Sequence, residues 1–267
     1  MKQTILITGA SSGIGLLIAN KLHNEGHTVI GTSRNPKAHA SKFPFPLVEL
    51  DLNEDQSIES FGKRLFSEIP KLDVLINNAG YLVSGLAEET SIGLGKKQFE
   101  TNFWGTIKLT NQFLPYFRKQ RSGKIITVGS FLGLIGLPTV GYYSASKHAL
   151  EGYFKALRFE VKDFNIDVCM VEPMNFKTSI GENSVRSDLK IDDYDLLRKQ
   201  TDNFSKQQFE NSPTPEPVVD MILKVVSDKN PKFNHPVGKG VSFILFMQQY
   251  VYKVFENSIL KQVHKAF

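Results

Sequence analysis

Three glycines constrain this chain more than any other feature. Gly9, Gly13 and Gly15 lie in Thr8-Gly9-Ala-Ser11-Ser12-Gly13-Ile14-Gly15, directly after the apolar run Thr4–Thr8 and at the start of an amphipathic stretch. A strand, a glycine turn and a helix in that order suit a dinucleotide. The glycines allow a tight turn, close backbone approach to a pyrophosphate and close helix–strand contact. The first turn of the helix then offers unpaired N–H groups and a positive dipole end to the anion. Three glycines at this spacing arise by chance roughly 0.1 times in a chain of this length at ~7% glycine, so the turn calls for an explanation. A glycine turn without a ligand is the bland alternative.

The rest of the chain fits that start. Short apolar runs alternate with longer amphipathic stretches, which predicts an α/β fold. The expected architecture is Rossmann-type: a doubly wound, mainly parallel seven-stranded sheet with helices on both faces. Strands are expected at Thr4–Thr8, Thr28–Thr32, Leu47–Leu50, Val74–Asn77, Lys124–Gly129, Asp167–Glu172 and Phe233–Val237. Helices are expected at Ile14–Glu25, Asp55–Glu68, Lys96–Arg118, Tyr142–Asp163 and Pro215–Ser227, with a last amphipathic one over Val241–Val263. No repeat or interdomain linker interrupts the pattern, so residues 1–267 read as one domain. Residues 174–213 are polar, irregular and follow a strand end, where open α/β sheets place ligands; they are expected to form a substrate lid.

Tyr143 and Lys147 sit four residues apart, just over one helical turn, and so share a face of the expected helix. A lysine ammonium favours the phenolate and makes a tyrosine a plausible general acid/base. A Tyr-x-x-x-Lys match alone is expected by chance roughly 0.7 times, so its surroundings decide its meaning. Ser130 stands thirteen residues upstream of Tyr143 at a strand end, and Asn77-Asn78-Ala79-Gly80 follows the fourth strand.

The Gly-x-x-x-Gly-x-Gly spacing, Asn78-Ala79-Gly80 and the Ser130, Tyr143, Lys147 set resemble the short-chain dehydrogenase/reductase family in its single-domain form. The likeness runs from Lys2 to about Val237. Tyr143-Ser-Ala-Ser-Lys147-His-Ala-Leu-Glu-Gly and Val171-Glu-Pro are nearest to hydroxysteroid and retinol dehydrogenase-like members. The resemblance implies that Tyr143 exchanges a proton with a substrate carbonyl or alcohol and that Ser130 hydrogen-bonds the same oxygen. Lys147 would lower the tyrosine pKa and bind the nicotinamide ribose. Asn102, in Thr-Asn102-Phe-Trp-Gly105, would hold a water leading to Lys147. It also implies cofactor contacts from Gly9, Ser11, Ser12, Gly13, Ile14, Gly15, Asn78, Ala79, Gly80, Tyr143 and Lys147. Asp51 and Leu52 would lie near the adenine, and Pro173 and Thr178 near the nicotinamide. Met174 departs from the pattern, which usually has glycine after this proline; a positive φ there would strain a non-glycine residue.

Charge argues the cofactor. An acidic residue after the second strand would bind the ribose 2′-hydroxyl of NAD and repel a 2′-phosphate. Here Ser33 and Arg34 stand in Ile30-Gly-Thr32-Ser33-Arg34-Asn35, so NADP(H) is expected over NAD(H). No metal site is expected.

Of the formal charge of +5, the tail from Pro231 holds five lysines against Glu256 alone, or +4. The remainder is nearly neutral, which excludes a general nucleic-acid surface. The expected partner is a small carbonyl or alcohol; Phe131–Pro138, Tyr81–Leu86 and the lid are expected to border the pocket, and the strongly apolar first stretch suggests a lipophilic substrate, although loop packing against the core reads the same way. The resemblance implies a homodimer or homotetramer, with Phe103, Trp104, Phe113, Tyr116 and Phe117 as candidate interface residues, several of which core packing explains equally. The basic, aromatic tail helix is expected to pack on its own subunit, on a sister subunit or on a membrane surface. The lone Cys169 permits no internal disulfide, and no apolar run reaches ~18 residues, so a cytoplasmic protein is expected. The rival reading is a catalytically silent NADPH-binding regulatory or interaction protein on the same fold.

Overall fold

Ile5 and Ile7 pack into one apolar cluster while Leu6 between them packs into another, and Val74, Leu75 and Ile76 alternate in the same way. Strands apolar on both faces belong in a sheet covered on both sides. The structure, a computed structural model, describes residues 2–39, 42–182 and 184–265 and bears out that arrangement.

Along the chain, β1 (Thr4–Ile7) leads to α1 (Gly13–Asn24), β2 (Thr28–Ser33), β3 (Leu47–Glu49), α2 (Asp55–Glu68), β4 (Val74–Asn77) and β5 (Val83–Ser84). Next, α3 (Ile92–Phe99) passes through a π-helical turn, Glu100–Gly105, into α4 (Thr106–Gln120), β6 (Gly123–Val128), α5 (Gly141–Glu160) and β7 (Ile166–Pro173). The remaining elements are α6 (Ser179–Glu182), β8 (Val185–Arg186), α7 (Asp195–Glu210), α8 (Glu216–Ser227), β9 (Asn234–Val237), α9 (Val241–Tyr250) and α10 (Tyr252–Lys265).

Seven strands form a sheet in the order β3-β2-β1-β4-β6-β7-β9, with every pairing parallel. Ile18 and Leu22 of α1 and Ile222 and Val225 of α8 cover one face. Phe61 of α2, Phe113 of α4 and Phe154 of α5 cover the other. Each such side chain contributes about 1.5–3 kcal/mol by leaving water. The strand order reverses between β1 and β4. At that switch point the carboxyl ends of the strands open a crevice, which is where ligands bind in sheets of this kind.

Four expectations need correction. The helix expected from Lys96 begins at Ile92, where Ser91 Oγ accepts a hydrogen bond from Leu94 N at 3.2 Å, and it is interrupted by the π turn. The segment 174–213 is not irregular: it contains the 16-residue α7, and β8 pairs with β5. Asn183, within it, lies outside the described residues. The apolar pattern of α7 is faint because Thr201 is its only buried residue. Tertiary contacts hold α7 and the loop before it: Arg198 ion-pairs the buried Glu89, and Glu89 Oε1 accepts from Ile191 N at 2.8 Å. The C-terminal helix is two helices, broken at Val251 (φ −135°, ψ 49°). Finally, Phe113 and Phe117 are core residues rather than interface candidates, whereas Trp104 and Tyr116 are exposed.

One buried cation secures the sheet to its covering helix. Lys124, on β6, donates from Nζ to the carbonyls of Val225 (2.8 Å), Val226 (3.0 Å) and Asp228 (2.5 Å) at the end of α8. Helix ends leave such carbonyls without intrahelical partners. Lys124→Met keeps an aliphatic stem but removes the donors, and is expected to lower folding stability by about 2 kcal/mol. Chemical denaturation with an unshifted midpoint would refute this.

Candidate active site

The ends of β1 and β4 are joined by side-chain hydrogen bonds. Thr8 Oγ1 accepts from the backbone N–H groups of Asn78 (2.9 Å) and Ala79 (3.0 Å). Asn78 Nδ2 donates in return to the carbonyls of Thr8 (2.9 Å) and Gly9 (3.2 Å). Gly9 has φ +67°, and a Cβ there would stand 3.0 Å from Ala79 Cα. A Cβ at Gly15 would come within 2.3 Å of the Gly9 carbonyl oxygen, so only glycine lets α1 approach this closely. The N-terminus of α1 carries no side-chain cap and no acidic residue in its first turn, leaving its N–H groups open to an anion. This cradle fits a pyrophosphate.

A cleft of about 1890 Å³ opens above these strand ends. Gly9, Ser11, Ser12, Gly13, Ile14, Ser33, Arg34, Asp51, Leu52, Asn78, Ala79 and Gly80 line it at one end, with Ser130, Tyr143, Lys147, Pro173 and Thr178 beyond. Of the expected site residues, only Gly15 and Asn102 do not line it. Arg34 is exposed, with no hydrogen bond or ion pair to another described residue. Asp51 is also a turn residue, its Oδ1 accepting from Asn53 N at 2.9 Å.

Tyr143 and Lys147 share the buried face of α5, at 7% and 4% exposure, and Lys147 Nζ lies 5.8 Å from the tyrosine ring centre. Ser130, just past the end of β6, lies close enough to the phenol to influence its titration, and its Oγ caps the following turn by accepting from Leu132 N (3.1 Å). Lys147 Nζ donates to the Val128 carbonyl at 2.9 Å. The expected lowering of the tyrosine pKa is not found in this arrangement. Burial pushes the Tyr143 phenol up to about 12, against the opposing Ser130 hydrogen bond. Burial likewise pulls the Lys147 ammonium down to about 8, against the Glu151 carboxylate. Desolvation outweighs the hydrogen bond at Tyr143 and the neighbouring charge at Lys147. At neutral pH the phenol keeps its proton.

Asn102 lies in the π turn, 1% exposed, and its hydrogen bonds clamp Tyr81. Oδ1 accepts from Tyr81 N (3.0 Å), while Nδ2 donates to the Tyr81 carbonyl (2.9 Å) and to Ser146 Oγ (3.3 Å). A Cβ at Gly80 would lie 3.1 Å from Asn102 Oδ1 and 3.9 Å from Lys147 Nζ, so both polar atoms border the space that Gly80 leaves. Met174, where strain was feared, does not adopt a positive φ. Its backbone N donates to the Val237 carbonyl at 2.9 Å, and its side chain lies over Gly238.

Sequence reasoning missed a carboxyl pair behind Lys147. Glu151 continues the Tyr143–Lys147 stripe by one more helical turn, and that spacing was visible in the chain. Its partner comes from β7: Asn234 Nδ2 donates to Glu151 Oε2 at 3.0 Å and to Glu172 Oε1 at 2.5 Å. His235 N donates to Glu172 Oε2 at 2.9 Å, and Glu151 Oε1 has no hydrogen-bond partner among the described residues. Burial raises both carboxyls, and the Glu151 charge further raises Glu172. The folded chain therefore binds protons here that the unfolded chain has released. Stability from the pair is greatest below the ordinary carboxyl value of 4.5 and is lost as pH rises toward about 8. Glu151→Gln keeps an oxygen for Asn234 and removes one charge. It is expected to melt like the wild type near pH 5 and at higher temperature near pH 8; calorimetric pH profiles that stay parallel would contradict this.

Residues 3–188 match the family described as short chain dehydrogenase. The chain is 39% identical to a 3-ketodihydrosphingosine reductase of Bacteroides thetaiotaomicron, over 95% of its own length and 97% of that protein. It is 37% identical to the uncharacterized oxidoreductase YusZ of Bacillus subtilis, covering 98% and 99% of the two chains. The crystal structure of a short-chain dehydrogenase from Streptomyces avermitilis superposes with a TM-score of 0.85 at 27% identity, over 99% of this chain and 98% of that one. Agreement over this much of the chain shows that it belongs to the short-chain dehydrogenase family of oxidoreductases.

Proposed function

We propose that the chain interconverts a lipophilic carbonyl compound and its alcohol with NADP(H). The observation that carries this reading is the buried Ser130–Tyr143–Lys147 group facing the same cleft as the glycine turn. The cofactor would be held by the Gly9–Gly15 cradle and by Asn78, Ala79 and Gly80. Asp51 and Leu52 would flank its adenine, with Pro173 and Thr178 near its nicotinamide. When bound, it supplies or accepts the hydride. Arg34, exposed at the cleft and free of an internal ion pair, suits a 2′-phosphate, with Ser33 beside it.

In the reducing direction Tyr143 donates its proton to the substrate oxygen. The Ser130 hydroxyl donates a hydrogen bond to that oxygen and stabilises its developing charge. Loss of the proton leaves a buried phenolate, which the nearby Lys147 ammonium stabilises; the same charge would favour removal of a proton from an alcohol in reverse. The space at Gly80, bordered by Asn102 Oδ1 and Lys147 Nζ, has the polar lining for a water that resupplies the proton.

Phe131, Ile135, Phe176, Ile244 and Met247 along the cleft favour an apolar substrate, and one full-length relative is named for the reduction of a lipid ketone. The segment 174–213 would close over that substrate as a lid, since Phe204 and Phe209 of α7 line the cleft. Exposed Trp104 and Tyr116 suit contact with a second copy in a homodimer or homotetramer. Met174, the one departure from the family pattern that would favour a silent regulator, has no positive φ and so gives that reading no support.

Two measurements test this. With NADPH and a panel of apolar ketones that includes 3-ketodihydrosphingosine, Tyr143→Phe should lower kcat roughly a hundredfold to ten-thousandfold while NADPH still binds. Undiminished turnover would sink the mechanism. Arg34→Ala should raise the Kd for NADPH by about tenfold or more and leave that for NADH nearly unchanged; equal effects on both would undo the 2′-phosphate assignment.

A further inference from the structure

The C-terminal corner between α9 and α10 presents apolar side chains to solvent on a single chain. The helices break at Val251, and all six residues from Gln249 to Val254 are exposed. Phe246 is 53% exposed, Tyr250 67%, Tyr252 57% and Val254 56%, and the Phe246 and Tyr250 rings sit 5.1 Å apart. A soluble chain rarely displays apolar residues this densely without something to cover them. Buried residues of the same helices, Val241 and Phe255, already pack on Phe131 and Ile135, so the exposed set is a second face rather than a failed core contact.

Charge indicates what covers it. Lys253 lies in the corner, and Lys239, just before α9, and Lys261 and Lys265 of α10 are exposed along the same segment, with Glu256 as its one acidic residue; none of these lysines is in an ion pair among the described residues. A two-fold contact with a second copy would bring this basic face against itself. An anionic lipid surface offers the opposite charge for the lysines and an apolar layer for the aromatics. The corner also adjoins the cleft: Phe243, 67% exposed, lines its rim together with Ser258 and Ile259.

We infer that the α9–α10 corner docks on an anionic lipid bilayer, with Phe246, Tyr250, Tyr252 and Val254 entering the headgroup boundary. Lys253 meets the lipid phosphates there, and the other lysines of the segment add long-range attraction to an anionic surface. This goes beyond the proposed activity and does not depend on it, because docking is read without turnover. The test is co-sedimentation of the full chain with vesicles of phosphatidylcholine alone or mixed with phosphatidylglycerol. Several-fold more protein should pellet with the anionic vesicles, and high salt should release it. Tyr250→Ser/Tyr252→Ser/Val254→Ser should abolish binding while the variant keeps the wild-type melting temperature. Should that variant fail to fold, Lys253→Glu/Lys261→Glu is read in the same assay and should also lose binding. Equal pelleting with both vesicle types, or binding by the variants equal to wild type, would overturn the inference. So would vesicles that leave the wild type in solution while the serine variant changes its mass in sedimentation velocity, since the face would then be a subunit contact.

Discussion

The hydrogen bonds between Thr8 and Asn78 determine where everything else can stand. They join the carboxyl ends of β1 and β4, the two strands between which the sheet reverses its order. With those ends held, the chain leaving β1 must turn at once, which needs the positive φ of Gly9. The helix that follows must pass against the turn, which needs the missing side chain of Gly15. The open N-terminus of α1 and the backbone of Asn78–Gly80 are thereby brought to one crevice. Thr8 drew no notice in the sequence because a threonine at a strand end is ordinary; its role exists only once β4 lies beside β1.

At the other end of the crevice, burial governs the chemistry. Tyr143, Lys147 and Glu151 form one stripe on α5, and desolvation moves each toward its neutral form: the phenol and carboxyl upward, the ammonium downward. The sequence argument for a lowered tyrosine pKa considered the lysine charge but not the cost of burying both groups. Spacing along a helix shows which side chains are neighbours. It does not show how much water they keep, and that decides which effect wins.

The limits of the sequence reading have physical causes. The strands of the main sheet were legible as short runs, built around apolar residues in six of them and weakest at β9, Asn-His-Pro-Val, and their parallel pairing followed from the amphipathic stretches between them. The helix α7 was not legible: it buries almost nothing of its own, and Arg198 anchors it to a glutamate 109 residues earlier. The break at Val251 was hidden inside a continuous amphipathic stretch with no proline or glycine to mark it. Phe113 and Phe117 were offered as interface candidates because periodicity identifies an apolar face without saying whether it meets the sheet or another chain.

By itself, the sequence determined the fold class, the glycine cradle and the Ser130, Tyr143 and Lys147 positions, because each is a local pattern of spacing, turn chemistry and apolar period. Tertiary structure decided what local patterns cannot hold. It paired Glu151 with Glu172 through Asn234, turned Asn102 onto the Tyr81 backbone, and gave Met174 an unstrained conformation over Gly238. It also divided the C-terminal apolar residues between a face that packs on Phe131 and a corner left bare. Burial and long-range partnership belong to the folded chain, and these set the charge states and surfaces on which its chemistry depends.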